Sequence, residues 1–150
     1  MKLNVIILAA LWFLPALAGA AVTVTSETGN RHVPICLTRI AASYLKALGA
    51  LESGNNDLAR GKAGEVGRYQ CLKSVWRLEG GSQTALATDS ATAAAVVVKV
   101  VRGRTGKEIA MLSPEEFARA WHCPGARRLN REQRDYVARF VNLMQSTSTQ

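Results

Sequence analysis

Potential metal ligands are scarce in this sequence. Its 150 residues include two histidines, His32 and His122, and three cysteines, Cys36, Cys71 and Cys123. No two cysteines lie at C-x-x-C spacing, and structural zinc sites usually draw on such closely spaced ligands. We therefore predict no metal site and no cofactor, although the adjacent His122 and Cys123 leave the metal alternative open. The odd number of cysteines leaves at least one thiol free or paired with another molecule.

Long hydrophobic runs are also rare, and the clearest one lies close to the first residue. A basic start, an apolar run over residues 5–14 and the small residues Ala18, Gly19 and Ala20 are typical of a secretory signal peptide and its cleavage site. The run is shorter than the roughly 20 residues of a membrane-spanning helix. We predict a signal peptide over residues 1–20 and an exported, periplasmic or secreted protein that is not stably inserted in a membrane after cleavage. An uncleaved membrane anchor is the alternative.

Acidic residues are few relative to basic ones: 11 against 19, which gives a formal net charge of +8. Residues 1–20 contribute one lysine and no acid, so their removal lowers the charge to +7. A basic exported protein is attracted to anionic surfaces such as cell wall, membrane or polysaccharide. Because the basic residues are not interleaved with aromatic residues, and because export separates the protein from nucleic acid, we expect no nucleic-acid partner.

The rest of the chain is long enough for one domain with its own core. It contains no internal repeat and no long linker. We expect residues 21–33 to form a polar leader or a short edge strand. Residues 34–145 are predicted to form the single domain, and residues 146–150 a disordered tail.

The first core helix is predicted from Pro34 to about Leu51, with Gly54 as its stop. Its apolar residues recur at helical spacing: Leu37, Ala41, Tyr44, Leu45, Leu48 and Leu51. Residues 54–70 combine four glycines with asparagine and aspartate, a composition typical of turns. It fits a small irregular hairpin or a three-stranded patch.

A short helix is predicted over residues 71–78, before the break at Gly80 and Gly81. Its inward residues are expected to be Leu72, Val75 and Trp76. Residues 88–101 are ambiguous, because their valines favour a strand whereas their alanines and the capping residues that precede them favour a helix. We predict a helix there, closed by Gly103 and Gly106.

Two capping boxes mark the last two helices. Ser113 and Glu116 flank a proline at the first helical position, and the Pro124-Gly125 pair then ends that helix. Its inward residues are Phe117, Ala120 and Trp121. Asn130 and Gln133 repeat the box before an apolar face of Tyr136, Val137, Phe140, Val141 and Met144. The predicted fold class is therefore mainly α, with one small glycine-rich β patch.

Glu52 lies where a carboxylate is electrostatically unfavourable. It ends the first helix on the same face as Leu45 and Leu48, and the negative end of the helix dipole opposes it by roughly 0.3–1 kcal/mol. The dipole and an apolar flank both raise the pKa of a carboxyl group. A glycosidase needs such an acid, still protonated near neutral pH, to protonate a leaving sugar oxygen. The alternative is a helix-end side chain that turns into water.

Several short motifs follow one another in this part of the chain. They are Glu52-Ser53-Gly54, Gly64-Glu65-Val66-Gly67-Arg68-Tyr69-Gln70, Trp76, Trp121 with Gly125, and RDYVARFVNLM with Tyr136. In order and spacing they resemble the E-S-G/N, G-x-x-G-x-x-Q and A-[YW]-N-x-G motifs of the lysozyme-like superfamily. Within it the chain is similar to the soluble lytic transglycosylases (SLT) and phage-type muramidases, over about residues 40–143.

The resemblance implies an α-rich (α+β) lysozyme-like domain with a small β lobe and a cleft between lobe and helices. It implies a glycosidase that cuts the β-1,4 bond from N-acetylmuramic acid (MurNAc) to N-acetylglucosamine (GlcNAc) in peptidoglycan, with Glu52 as general acid and then base. Substrate-binding roles are implied for Gln70, Tyr69, Trp121, His122 and Tyr136. Helix capping remains open for Gln70, and core packing for Tyr69, Trp121 and Tyr136. Peptidoglycan glycan strands are the implied partner, with an envelope protein as a further one.

Two acids, Glu65 and Asp57, are candidates for a second carboxylate, with turn roles as the alternative. The family usually has asparagine where this chain has His122, so substrate positioning and activity are in question. In the family arrangement Cys123 lies near Cys71, which leaves a bridge or two free thiols open.

Three functions are therefore weighed. The leading one is a secreted peptidoglycan-cleaving enzyme, either a lytic transglycosylase or a lysozyme. The alternative is a catalytically impaired lysozyme-like domain that binds peptidoglycan or a protein partner. A cationic surface protein that acts through charge alone would instead lose its activity in salt.

Overall fold

The computed structural model describes residues 22–23, 36–77 and 88–147, and they are mainly helical, as predicted. The elements are β1 (Val22–Thr23), β2 (Cys36–Leu37), α1 (Arg39–Ser53), α2 (Lys73–Val75), α3 (Ser90–Thr105), a 3₁₀ turn (Ile109–Met111), α4 (Pro114–His122) and α5 (Arg131–Thr147). The predicted signal peptide, most of the leader, the Gly80-Gly81 break and the end of the tail lie outside the described residues. No helix within the described ranges is both long and apolar enough to cross a membrane.

Helix α1 begins five residues later than predicted. Thr38 is its N-cap, since its backbone is extended and its hydroxyl oxygen accepts a hydrogen bond from the Ala41 N–H at 3.2 Å. Cys36 and Leu37 were predicted to be helical, but they form β2, which pairs antiparallel with β1. A capping side chain thus determines the start of this helix, and Pro34 does not.

The ambiguous segment is helical. Helix α3 starts after Asp89, whose carboxylate accepts hydrogen bonds from the Ala91 N–H at 3.0 Å and the Thr92 hydroxyl at 2.8 Å. Four of its valines, which favoured a strand in isolation, are at most 3% exposed in the core: Val96, Val97, Val100 and Val101. The helix runs through Gly103, so only Gly106 closes it, with a left-handed φ of 67°.

Both predicted capping boxes are confirmed. At α4 the Ser113 hydroxyl accepts from the Glu116 N–H, and the Glu116 carboxylate accepts from the Ser113 N–H. Asn130 and Gln133 exchange the equivalent pair of hydrogen bonds before α5. Each box satisfies two N–H groups that the helix itself leaves unpaired.

Three aromatic rings join α1, α4 and α5 in the core. Tyr44 packs against Phe117 with ring centroids 5.0 Å apart, and Phe117 stacks on Phe140 at 5.3 Å. The Tyr44 hydroxyl donates to the Leu112 carbonyl at 2.5 Å, which ties α1 to the turn before α4. Aromatic pairs of this kind contribute roughly 0.5–1.5 kcal/mol each beyond the area that they bury.

Residues 54–72 form an irregular loop with two isolated antiparallel bridges. Val66 pairs with Arg60 on one side and with Cys71 on the other. The short helix predicted after this loop is observed as α2, and a π-helical turn at Trp76 and Arg77 follows it. Trp76 is 1% exposed. Leu72 was expected to face inward but is 42% exposed, because it lies before α2 in extended backbone.

The capping box of α4 predicts a measurable contribution to stability. We expect Ser113→Ala to lower the free energy of unfolding by about 1 kcal/mol, because one helix-end N–H loses its acceptor. Urea unfolding followed by circular dichroism measures this change. Ser43→Ala is the control, since its hydroxyl only donates back to the Arg39 carbonyl one turn earlier within α1. Equal losses in both variants would contradict the prediction.

Candidate active site

Glu52 lies in the last turn of α1, one residue before the helix ends. Gly54 follows in the left-handed region, at φ 65°, and its N–H donates to the Ala50 carbonyl. This bond is that of an αL helix end, and the Asn55 N–H adds a hydrogen bond to the Gly49 carbonyl at 2.9 Å. The chain therefore turns away sharply, and the half-buried Glu52 side chain stays on the face that meets α4 and α5.

Ser53 fixes the loop that follows. Its hydroxyl donates to the Arg68 carbonyl at 2.7 Å and accepts from the Asn56 N–H at 3.0 Å. The Arg68 guanidinium donates two hydrogen bonds to the Asp57 carboxylate, Nε to Oδ1 at 2.7 Å and Nη2 to Oδ2 at 3.1 Å. Gly49 accommodates this packing, since a Cβ there would lie 2.9 Å from Arg68 Cγ.

Two aromatic donors from other helices hold one oxygen of the Glu52 carboxyl group. The Trp121 indole on α4 donates to Oε1 at 3.1 Å, and the Tyr136 hydroxyl on α5 donates to the same atom at 2.5 Å. Oε2 makes no hydrogen bond with any residue that the structure describes. A proton on this carboxyl group is therefore directed to Oε2, because Oε1 already accepts two hydrogen bonds.

Arg104 stabilises the backbone of α4 at Trp121. Its guanidinium donates to the Ala120 carbonyl at 2.8 Å and to the Trp121 carbonyl at 2.9 Å. These carbonyls belong to the last turn of α4, where helix carbonyls lack intrahelical partners and a positive charge is favourable. Arg104 could not be singled out from the sequence, since no local pattern links it to Trp121.

The surroundings of Glu52 raise the pKa of its carboxyl group above the ordinary value of 4.5. Burial is the largest cause, and the negative charge of Glu65 acts in the same direction. The hydrogen bonds from Tyr136 and Trp121 and the nearby His122 oppose the shift without cancelling it. The direction agrees with the expectation from the sequence, and burial in this contact is its main source.

His122 lies beside this cluster. Its imidazole ring stacks on the Tyr136 ring, with centroids 3.8 Å apart and planes 8° from parallel. The histidine is exposed, whereas the tyrosine is 6% exposed. Because Tyr136 also donates to Glu52, the structure brings together four of the residues singled out in the sequence: Glu52, Trp121, His122 and Tyr136.

Tyr69 and Gln70 have different surroundings. Tyr69 is 5% exposed within the hydrophobic core, and burial raises the pKa of its hydroxyl to about 12. It therefore occupies the packing position that was its alternative. Gln70 has a left-handed backbone, with φ 47°, and its amide donates to the Gly67 carbonyl at 2.8 Å. It stabilises the turn and does not cap α2, whose N-cap is Leu72.

The two further carboxylates both take part in the loop. Asp57 is held by Arg68, and Glu65 accepts from the Ala63 N–H at 2.9 Å. Glu65 therefore has the turn role weighed in the sequence, whereas Asp57 forms an ion pair with Arg68. Glu65 is in addition close enough for its charge to raise the pKa of Glu52.

Cys71 and Cys123 are both buried free thiols. Burial raises the pKa of Cys71 to about 12 and also raises that of Cys123, so both are uncharged at neutral pH. The Glu52 charge contributes to the Cys71 shift. Within residues 22–23, 36–77 and 88–147, no three histidine, cysteine or acidic side chains gather as metal ligands.

No protein-family model matches this chain, and neither a curated protein nor a solved structure matches it.

The raised pKa of Glu52 predicts how stability depends on pH. Glu52→Gln keeps an acceptor for Trp121 and Tyr136 but cannot ionise. Below about pH 4.5 the group at position 52 is neutral in both proteins, so the difference between their free energies of unfolding should be constant. As pH rises through the folded-state pKa of Glu52, the wild type loses stability that the variant retains. We expect the variant to gain relative stability toward pH 8, measured by urea unfolding between pH 4 and 8. The exposed Glu132→Gln serves as control, and a pH-independent difference would contradict the expectation.

Proposed function

We propose that this protein is a peptidoglycan-cleaving glycosidase of the lysozyme-like kind, with Glu52 as its general acid and base. The observation that supports this most strongly is the arrangement of one carboxyl group. Burial keeps it protonated to higher pH than an ordinary glutamate, while Trp121 and Tyr136 occupy Oε1 and leave Oε2 to deliver the proton. The order of the E-S-G and G-x-x-G-x-x-Q motifs around Glu52 resembles that of the lysozyme-like family and supports the same reaction class.

The proposed reaction starts with proton transfer from Oε2 to the oxygen of the β-1,4 bond between MurNAc and GlcNAc. That oxygen leaves with the GlcNAc side, and the MurNAc C1 becomes electron-poor as the C–O bond breaks. The Glu52 carboxylate left behind is stabilised by two hydrogen bonds to Oε1. It then accepts a proton from the attacking hydroxyl group, which regenerates the acid.

Two nucleophiles fit this scheme. In a lysozyme, water attacks C1; in a lytic transglycosylase, the 6-hydroxyl of the same MurNAc attacks and closes a 1,6-anhydro ring. Mass spectrometry of the released muropeptides separates the two, because anhydro products are lighter by one water. Both routes use the same proton transfers at Glu52.

We also propose that the loop over residues 54–72 is the small β lobe and that substrate lies between it and α4 and α5. Its two bridges around Val66 and its attachment through Ser53 give it a fixed position next to Glu52. Gln70 and Glu65 would face substrate from the loop side. The glycan strand in this proposal is a polymer of the exported compartment, and the signal peptide predicted over residues 1–20 would take the protein there.

Replacement of the proposed acid is the direct test. We expect Glu52→Gln to reduce muropeptide release from purified peptidoglycan by about a hundredfold to ten-thousandfold, the usual loss when a general acid is removed. Glu132→Gln is the matched control, since it makes the same chemical change at an exposed carboxylate of α5 and should leave muropeptide release unchanged. Equal release by wild type and Glu52→Gln would exclude Glu52 as the acid.

A non-cleaving binding domain is the competing function, and His122 is the observation that favours it. This histidine stands where the related enzymes place asparagine, and its ring covers one face of Tyr136. Protein that sediments with peptidoglycan but releases no muropeptide under any tested condition would support this alternative.

Tyr136 predicts a shift in the pH dependence of activity. Its hydrogen bond stabilises the ionised form of Glu52 and thereby lowers that pKa. Tyr136→Phe should raise the pKa, so the alkaline limb of the pH–rate profile, where Glu52 loses its proton, should move to higher pH. Tyr44→Phe also loses a buried hydroxyl hydrogen bond, but to the Leu112 carbonyl in the core. Tyr44→Phe should leave the alkaline limb at the wild-type pH. A shift of the same size in both variants would contradict the prediction.

A further inference from the structure

Two polar groups beside Tyr136 are not used by the proposed proton transfer. His122 stacks on one face of the Tyr136 ring, and its ring nitrogens make no hydrogen bond with any described residue. Arg139 follows Tyr136 by three positions on α5, so it lies on a neighbouring part of the same helix surface. It forms no hydrogen bond or ion pair within the described ranges, and its charge lowers the pKa of the tyrosine hydroxyl.

Three other arginines of the described residues are already engaged. Arg68 is paired with Asp57, and Arg104 is bound to two α4 carbonyls. Arg119 lies 3.5 Å from the Glu115 carboxylate and donates to the Ala126 carbonyl. Arg139 differs from them because its guanidinium is exposed and its five N–H donors have no acceptor among the described residues.

Both side chains are therefore available to a ligand that approaches Glu52. An imidazole donates a hydrogen bond in either charge state, and a guanidinium binds carboxylates with two parallel hydrogen bonds. Tyr136 contacts His122 and precedes Arg139 by about one helical turn, and its hydroxyl donates to Oε1 of Glu52. A group bound by His122 and Arg139 would thus lie next to the bond that Glu52 protonates.

We propose that His122 and Arg139 form a subsite for a carboxylate carried by the MurNAc residue. This inference rests on the proposed function and specifies its substrate. MurNAc bears a carboxyl-containing lactyl ether, which is free in a bare glycan strand and extended by an acidic stem peptide in intact peptidoglycan. The GlcNAc side carries no carboxylate, so the subsite would orient the strand as well as hold it.

His122, in place of the asparagine of the family that the chain resembles, is consistent with this subsite. An asparagine side chain is uncharged and presents one amide group. The histidine keeps a hydrogen-bond donor at the position. On the other side, the negative charge of the Glu65 carboxylate raises the pKa of Glu52. A ligand carboxylate is therefore favoured on the His122 and Arg139 side of Glu52 and disfavoured beside Glu65.

The test uses the full chain on three soluble substrates that differ in their carboxylates. One is glycan with stem peptides, one is bare glycan with free lactyl groups, and one is the peptide-bearing glycan after its carboxylates have been converted to methylamides. The variants are His122→Gln combined with Arg139→Gln, Arg139→Lys, and Arg131→Gln as control. Arg131 is also an exposed arginine of α5, five positions from Tyr136 and so about 140° around the helix from it.

We expect the double variant to raise KM about three- to tenfold on a carboxylate-bearing substrate, the size that two exposed charge contacts provide, with kcat within about twofold. The methylamide substrate should show no such change. Arg139→Lys should recover part of the loss, and the difference between variant and wild type should shrink as salt is added. An effect confined to peptide-bearing glycan identifies a stem-peptide carboxylate, and one confined to bare glycan identifies the lactyl carboxylate.

Two results overturn the assignment in distinguishable ways. A rise in KM of the same size on the methylamide substrate, or in the Arg131→Gln control, overturns the carboxylate subsite while the glycosidase remains. Absence of cleavage of all three substrates by the unsubstituted protein overturns the proposed function, and the subsite with it.

Discussion

The contact on which the site depends is the meeting of one carboxyl oxygen with two aromatic donors. Glu52 comes from α1, Trp121 from α4 and Tyr136 from α5, so three helix positions must be correct at once. Burial penalises the charged carboxylate, and the two hydrogen bonds compensate it in part. The pKa of the Glu52 carboxyl group therefore remains above its ordinary value.

The aromatic core explains how the three helices reach this arrangement. Trp121 lies one turn after Phe117, Tyr136 lies one turn before Phe140, and Glu52 lies two turns after Tyr44. The rings of Phe117, Phe140 and Tyr44 contact one another in the core. The packing of α1, α4 and α5 at these rings therefore also brings Glu52 together with Trp121 and Tyr136, one or two turns further along each helix. A slip of one residue in any helix would rotate its contributing side chain by about 100° and separate the cluster.

Local features of the fold could be predicted from the sequence, because caps and apolar spacing act over a few residues. The Ser113 and Asn130 boxes and the course of α3 are examples, although Thr38 was missed as the N-cap of α1. The Glu52 contacts span 69 and 84 residues, and only the resemblance to a known family suggested that those residues share a site. Arg104 was not foreseen, since it binds backbone carbonyls and any well-placed donor could do so. Tyr69 could not be assigned, because an aromatic side chain serves a core and a sugar-binding surface equally well.

The left-handed end of α1 at Gly54 has a consequence for when Glu52 acquires its unusual acidity. Glu52 is an ordinary carboxylic acid in an extended chain, with neither burial nor aromatic donors to alter it. Its acidity changes only after Gly54 has turned the chain and helices from the far end of the sequence have docked. The perturbed acid is therefore a property of tertiary structure, and a chain that is not yet folded carries no prepared proton donor.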